Sequence, residues 1–344
     1  MPSLEKGARL SGKLSYMPPR PRVIVTRKLP KATEARMQEL FDVTLNSDDV
    51  PFTPEQMIAA VKKADVLVPT VTDKLGKDIL EHAGDQLRLI ANFGVGIDHI
   101  DLATTQAKKI TVTNTPSVLT EDTADIAMGL ILAAPRRLSE AAALVRRNEW
   151  VGWTPTFLLG HRVSGKKLGI VGMGRIGQAV ARRARGFGME VHYHNRKPAH
   201  GDVEKALSAT YWKNLDDMIA HVDILSLNCP YTPQTHHLIN AERIEKMRKD
   251  SFVINTSRGA VIDEAALTDA LAKGRIAGAG LDVYEKEPLM SDALRKLPNV
   301  VLLPHISSAT IEGRNEMGEK VIINIKSYVD GHMPPDRLLL SEVA

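Results

Sequence analysis

Leu168-Gly-Ile-Val-Gly-Met-Gly-Arg-Ile-Gly177 runs an apolar strand into glycines spaced G-x-G-x-x-G and then into a helix. A loop of that shape receives a pyrophosphate. Gly172 allows the tight turn, Gly174 lets the backbone approach phosphate oxygens with no Cβ in the way, and Gly177 lets the helix lie close to the strand. Arg175 and Ile176 open the helix, whose unpaired N–H groups and positive dipole end face the ligand. Loop glycines match this spacing by chance, so the flanks decide. Lys167 to Val171 reads as a buried parallel strand, Ile176, Val180 and Ala184 recur at helical spacing, and Glu190 to His194 reads as the next strand. The stretch predicts a dinucleotide-binding βαβ unit.

Outward from this loop the alternation of strand and helix continues in both directions. Upstream, Val23-Ile-Val25, Val43 to Leu45, Val66-Leu-Val68, Leu89-Ile-Ala91 and Ile110-Thr-Val112 read as strands, with helices at Lys31 to Leu40 and at Thr53 to Lys62. Thr53 is placed to cap the latter and Pro54 to open it. Downstream come strands at Asp223 to Leu227, Phe252 to Asn255, Gly278 to Val283 and Val300 to Leu303, and a helix capped by Asp263 that ends before Gly274. Alternation of this kind gives α/β units with parallel sheets. The upstream unit has no phosphate loop and suits the substrate. Asn114-Thr-Pro-Ser117 breaks the pattern at a boundary, Glu121 to Arg147 reads as one long helix kinked at Pro135, and a last helix from Ile311 to Val329 has no strand after it. That helix is expected to return to the first unit. The expected organisation is an N-terminal extension over 1–21, a discontinuous substrate domain over 22–117 and 309–344, and a dinucleotide domain over 118–308.

With 344 residues the chain is long enough for two cores, and 43% hydrophobic and 25% charged residues are ordinary for a globular protein. The net charge of +4 is spread along the chain, so neither nucleic acid nor a membrane surface is indicated, while an anionic ligand is welcome. No apolar run approaches the ~20 residues of a membrane span. One cysteine, Cys229, excludes an internal disulfide and points to a reducing cytoplasm. The histidines show no metal-ligand spacing with carboxylates or thiols, so no zinc site is read.

Ligands of open α/β sheets bind outside the carboxyl ends of the strands. Three residues fit for chemistry stand at such ends: Arg258 after Asn255-Thr-Ser, Glu287 after Asp282-Val-Tyr-Glu-Lys, and His305 after Leu303-Pro. Each alone is more often a surface charge or a core filler; together on one cofactor-binding sheet they read as a site. Trp150-Val-Gly-Trp-Thr-Pro155 with Thr-Phe-Leu-Leu159 holds two of the three tryptophans and is either a contact surface or core filling.

These residues resemble the D-isomer-specific 2-hydroxyacid dehydrogenase family over nearly the whole chain, from about Arg22 to Val329. The resemblance implies a Rossmann coenzyme domain inserted in a flavodoxin-like substrate domain, both doubly wound on parallel sheets. In Asn255-Thr-Ser-Arg-Gly259 it implies that Arg258 holds the substrate carboxylate and carbonyl, with Thr256 beside the cofactor. It implies that Glu287, before Pro288, orients His305, after Pro304. It implies that backbone N–H groups of Val95 and Gly96, within Asn92-Phe-Gly-Val-Gly-Ile-Asp98, meet the carboxylate. Asp282 would bond the nicotinamide carboxamide, and Cys229-Pro230 would pack on the cofactor rather than react. Trp150-x-x-Trp-x-Pro and Arg185-Gly-Phe-Gly-Met189 look most like glyoxylate and hydroxypyruvate reductases. The likeness further implies a homodimer paired through Trp150 to Leu159, with Trp153 at the partner's active-site mouth.

The chemistry stands without the resemblance. Reducing a 2-keto acid needs a hydride at the carbonyl carbon, a proton at its oxygen and a fixed cation for the carboxylate. Arg258 offers the bidentate fork that lysine lacks. His305 suits the proton, because a carboxylate beside an imidazole favours its protonated form and fixes the ring. The end of Glu190-Val-His-Tyr-His194 sets the cofactor. NAD-specific sites place an acid there, about 20 residues beyond the glycines, to accept from the ribose 2′-OH; here Asn195-Arg196-Lys197 can hold a 2′-phosphate instead. NADP(H) is therefore expected in preference, with NAD(H) possible. Formate dehydrogenase is disfavoured, since that branch has glutamine where Glu287 stands. Phosphoglycerate dehydrogenase and a dinucleotide-sensing co-repressor remain the alternatives.

Overall fold

A computed structural model describes residues 20–338 of the chain. Apart from Arg20 and Pro21, the expected N-terminal extension lies outside them. The chain divides into two compact units, one running to Pro116 and resuming at Arg314, the other comprising Ser117–Gly313.

The first unit holds a five-stranded parallel sheet of β1 (Arg22–Val25), β2 (Asp42–Thr44), β3 (Val66–Val68), β4 (Leu89–Ala91) and β5 (Thr111–Thr113). Their order, β2-β1-β3-β4-β5, is the flavodoxin-like one. The central strands are apolar without alternation because both faces are covered: Ile24, Leu67 and Ile90 pack with Met57, Val61 and Leu80. The helix Pro54–Lys63 starts on a reciprocal capping box between Thr53 and Gln56.

The second unit holds β6 (Lys167–Val171), β7 (Glu190–His194), β8 (Ala209–Tyr211), β9 (Ile224–Leu227), β10 (Phe252–Asn255), β11 (Gly278–Leu281) and β12 (Val300–Leu302), all parallel. Their order is β12-β11-β10-β9-β6-β7-β8, a Rossmann sheet extended by one strand. The order reverses between β6 and β9, and that switch point is where the glycine loop stands. The edge strand β8 escapes sequence patterning because it is only three residues long and none of them is fully buried.

The single long helix expected over Glu121 to Arg147 is two helices, Thr120–Ala133 and Leu138–Arg146. Pro135 has no N–H to continue the first, and Arg137 turns left-handed with φ 55° to start the second. The Pro135 carbonyl released by the break accepts the His161 N–H at 2.9 Å. Trp150, Trp153 and Leu159 are exposed, at 58%, 80% and 65%, so this stretch does not fill a core gap. No helix among the described residues is long and apolar enough to cross a membrane.

Candidate active site

At the end of β6 the chain turns at Gly172, whose φ of +98° favours glycine, and a Cβ there would lie 2.7 Å from the Cys229 nitrogen. A Cβ on Gly177 would meet the Gly172 carbonyl oxygen at 2.2 Å, so glycine alone lets the helix Arg175–Gly186 start this close to the strand. Gly174 faces open space. The helix begins there with no side-chain cap, leaving its first N–H groups for a ligand. Met173 N–H donates to Asn195 Oδ1 at 2.8 Å, which ties the end of β7 to the loop and leaves the Asn195 NH2 as a donor. Arg196 and Lys197 are exposed and make no ion pair among the described residues. Burial pushes the Cys229 thiol up to about 11, so it is inert at neutral pH. Pro230 is exposed beside it. Thr256 Oγ1 and Asn228 Oδ1 are buried without partners among the described residues. An open cradle at a helix start, flanked by orphaned polar atoms at the switch point, fits a dinucleotide.

Arg258 is carried by a braced loop. The buried Asn255 accepts the Ser257 N–H at 3.0 Å and its hydroxyl at 2.8 Å, and donates to the Arg258 carbonyl at 2.9 Å. A Cβ on Gly259 would lie 1.9 Å from the Tyr284 carbonyl carbon, so glycine there lets this loop rest directly on the one after β11. Tyr284 in turn joins two loops. Its N–H donates to Glu287 Oε1 at 3.0 Å and its hydroxyl to the Leu303 carbonyl at 2.8 Å.

His305 Nδ1 meets Glu287 Oε2 at 2.7 Å. The Nδ1–H therefore donates to the carboxylate, and Nε2 is left as the outer nitrogen. Burial pushes the Glu287 carboxyl up, but its bond to His305, the charge of that ring, the Tyr284 N–H and the charge of Arg258 outweigh this and hold it below the ordinary range. It is an anion at neutral pH. Asp282 is fully buried: its carboxylate accepts the Ile306 and Ser307 N–H groups, each at 2.8 Å, and the Ser307 hydroxyl, while its carbonyl accepts the His305 N–H at 2.9 Å. These bonds hold the loop of His305, a residue with φ +56°.

The second unit thus brings together Arg258, Glu287 and His305, and separately gathers the glycine loop, Asn195 and Cys229. Val95 and Gly96 belong to the first unit, on the loop after β4, and Trp153 stands exposed in an irregular segment. Asn255, Tyr284 and Gly259 went unread as braces in the sequence; only the glycine directly after the arginine signalled a close approach. No group of three or more His, Cys, Asp or Glu residues among the described residues is arranged to hold a metal.

A Rossmann sheet whose carboxyl ends present an arginine and a paired histidine and glutamate defines a nicotinamide-dinucleotide dehydrogenase of keto or hydroxy acids. Residues 128–307 match the model of the D-isomer specific 2-hydroxyacid dehydrogenase NAD binding domain. A glyoxylate reductase of Thermococcus litoralis is 44% identical over 325 residues, covering 92% of this chain and 96% of its own. The crystal structure of a glyoxylate reductase from Paecilomyes thermophila has a TM-score of 0.84 at 31% identity, covering 94% of this chain and 99% of its own. An NADPH-dependent glyoxylate/hydroxypyruvate reductase from Sinorhizobium meliloti, solved with NADP and malonate, has a TM-score of 0.83 at 37% identity and covers 93% and 97%. The chain belongs to the D-isomer-specific 2-hydroxyacid dehydrogenases.

Proposed function

We propose that the protein reduces a small 2-keto acid, glyoxylate or hydroxypyruvate, to the D-2-hydroxy acid, with NADPH preferred over NADH. The observation that carries this reading is the 2.7 Å pair of His305 and Glu287 on loops packed against the one bearing Arg258. When bound, the reduced nicotinamide supplies the hydride. Arg258 grips the carboxylate and polarises the carbonyl, with the Val95 and Gly96 N–H groups as further carboxylate donors. His305 delivers a proton from Nε2 to the carbonyl oxygen, and Glu287 keeps the ring oriented. Glyoxylate and hydroxypyruvate reductases among the relatives support the substrate class. Initial rates with glyoxylate, hydroxypyruvate, pyruvate and phosphohydroxypyruvate test it: turnover highest with one of the first two is expected, and none with any of the four overturns it.

The coenzyme preference is supported by the Asn195 NH2, which the Met173 bond to Oδ1 leaves as a donor, and by the exposed Arg196, which has no ion pair among the described residues; both suit a 2′-phosphate. The relative from Sinorhizobium meliloti uses NADPH. Asn195→Asp with Arg196→Ile reverses the preference, since the new carboxylate keeps the Met173 bond while repelling a phosphate. A wild-type kcat/KM higher with NADH rejects the claim.

The exposed Trp150, Val151, Trp153 and Leu159 support a homodimer joined through this segment, with Trp153 near the partner's active site. Sedimentation at micromolar concentration should give a dimer; a monomer rejects it. One unpaired, buried cysteine supports a cytoplasmic enzyme.

A further inference from the structure

The loop after β4 presents three successive N–H groups, and two buried or half-buried asparagine side chains hold it in that form. Asn92 is wholly buried, and its NH2 donates to the Gly94 carbonyl at 3.0 Å and to the Gly96 carbonyl at 2.9 Å. Its Oδ1 meets His99 Nε2 at 3.1 Å, which leaves the NH2 end no choice but to face the loop. Asn114 donates to the Val95 carbonyl between them at 2.9 Å. The Thr115 N–H adds a second bond to the Gly94 carbonyl, at 3.1 Å.

A trans peptide plane points its N–H opposite to its C=O. Gly94 and Gly96 carbonyls drawn in toward Asn92 therefore turn the Val95 and Ile97 N–H groups away from the core. The Val95 carbonyl drawn to Asn114 turns the Gly96 N–H away from Asn114. None of the three N–H groups has an acceptor within this unit among the described residues. Three unpaired N–H groups in succession on one loop are donors available to an anion.

We infer that Asn92 and Asn114 are positioning residues for substrate recognition, setting the peptide planes so that Ile97 joins Val95 and Gly96 as a carboxylate donor. This rests on the 2-keto acid reading above. Neither asparagine touches substrate; each acts by denying the loop the flipped peptides that would turn carbonyl oxygens toward an anion. Asn92→Asp keeps the size and the acceptor for His99 but replaces the double donor by a carboxylate facing two carbonyls.

The test compares wild type, Asn92→Asp and Asn114→Ser for the KM of glyoxylate, inhibition by oxalate and dissociation of the reduced coenzyme. Both variants raise the KM and the oxalate inhibition constant about tenfold or more, as loss of bonds to a charged group does, with coenzyme affinity within about twofold. The Asn92→Asp defect lessens as the pH is lowered from 7 toward 5, because a protonated carboxyl regains one donor. A KM and oxalate constant unchanged in both variants overturns the inference, as does coenzyme affinity falling in parallel or a defect indifferent to pH. Should Asn92→Asp not fold, Asn114→Ser alone decides by the same ratio. Failure of the underlying reading is separate: wild type itself would turn over no 2-keto acid.

Discussion

At the end of β6 the backbone is shaped by side chains that are missing, whereas at the end of β4 it is held by side chains that are buried. Gly172 and Gly177 make room for a helix start, and the donors there come from the helix itself. The loop after β4 has no helix behind it at Val95 to Ile97, so Asn92 and Asn114 do by hydrogen bonds what the helix does by geometry. Both ends offer backbone N–H groups to anions. They differ in what else they carry: the second unit adds Arg258, Glu287 and His305 at three further strand ends. The side chains proposed for proton chemistry therefore all belong to the second unit, and the first carries only proposed backbone donors.

The largest effect expected from this division is in His305→Gln. Loss of a general acid costs on the order of 100-fold or more in turnover, and coenzyme affinity stays near wild type because the imidazole serves the substrate oxygen. Single-turnover reduction and coenzyme titration measure the two. Turnover near wild type would end the assignment of His305 and with it the contrast between the units.

Next in size is a pair of substitutions that separates packing from ligand contact in the glycine loop. Gly177→Ala gains up to ~1 kcal/mol of helix propensity, but its Cβ would sit 2.2 Å from a backbone oxygen. Overpacking of that kind costs ~1–3 kcal/mol and wins. Melting temperature and coenzyme affinity both fall. Gly174→Ala meets nothing in the protein, so its melting temperature holds while coenzyme affinity falls, since the new methyl group stands where phosphate oxygens approach. Equal melting losses in the two variants would contradict the open cradle at Gly174.

This pair also marks where the sequence was legible. Gly172 and Gly177 could be read because steric need leaves only glycine, Gly174 because its spacing between them completes the motif, and the strand ends at Arg258, Glu287 and His305 because continuous apolar runs announce buried parallel strands. Pro135 predicts a kink where the chain in fact breaks, since proline fixes only the lost bond and not where the chain goes next. Asn92, Asn114, Asn255 and Tyr284 were silent. Their roles depend on which carbonyl each meets across 2 to 19 residues, and nothing in local spacing encodes that.

A third measurement sharpens the division within the second unit. Glu287→Gln retains the size of the side chain but removes the anion that Nδ1 of His305 faces at 2.7 Å. The ring loses the anion that fixes its orientation, so turnover falls, though by less than in His305→Gln because the proton donor itself remains. The wild-type carboxylate is held below the ordinary range and is an anion at neutral pH. Single-turnover reduction checks this, and a rate equal to wild type would mean that the pair does not serve catalysis.

The smallest effect concerns the opposite, amino end of the first sheet, where no ligand is expected. Asp65, just before β3, accepts the Arg22 N–H at 2.8 Å and its guanidinium at 2.8 and 3.0 Å. Burial pushes this carboxyl up, but the Arg22 bonds outweigh it and hold it below the ordinary range. A carboxyl lowered on folding adds stability that is complete above its unfolded pKa of ~3.9 and is lost as the pH falls through the lowered native value. Arg22 is half exposed, with 45% of its side chain accessible, so solvent screening limits the pair to about 1 kcal/mol or less. Asp65→Asn should therefore lower the melting temperature slightly at pH 7, and the gap to wild type should narrow as the pH is taken below 3.9, where wild type progressively loses the same contribution. Catalytic efficiency should not change, because the carboxyl end of β4 and its asparagine-held loop lie at the other end of the strands. A substantial loss of kcat/KM in this variant would show that the two ends of the first sheet are coupled, and would remove the reason for treating Asn92 and Asn114 as local devices.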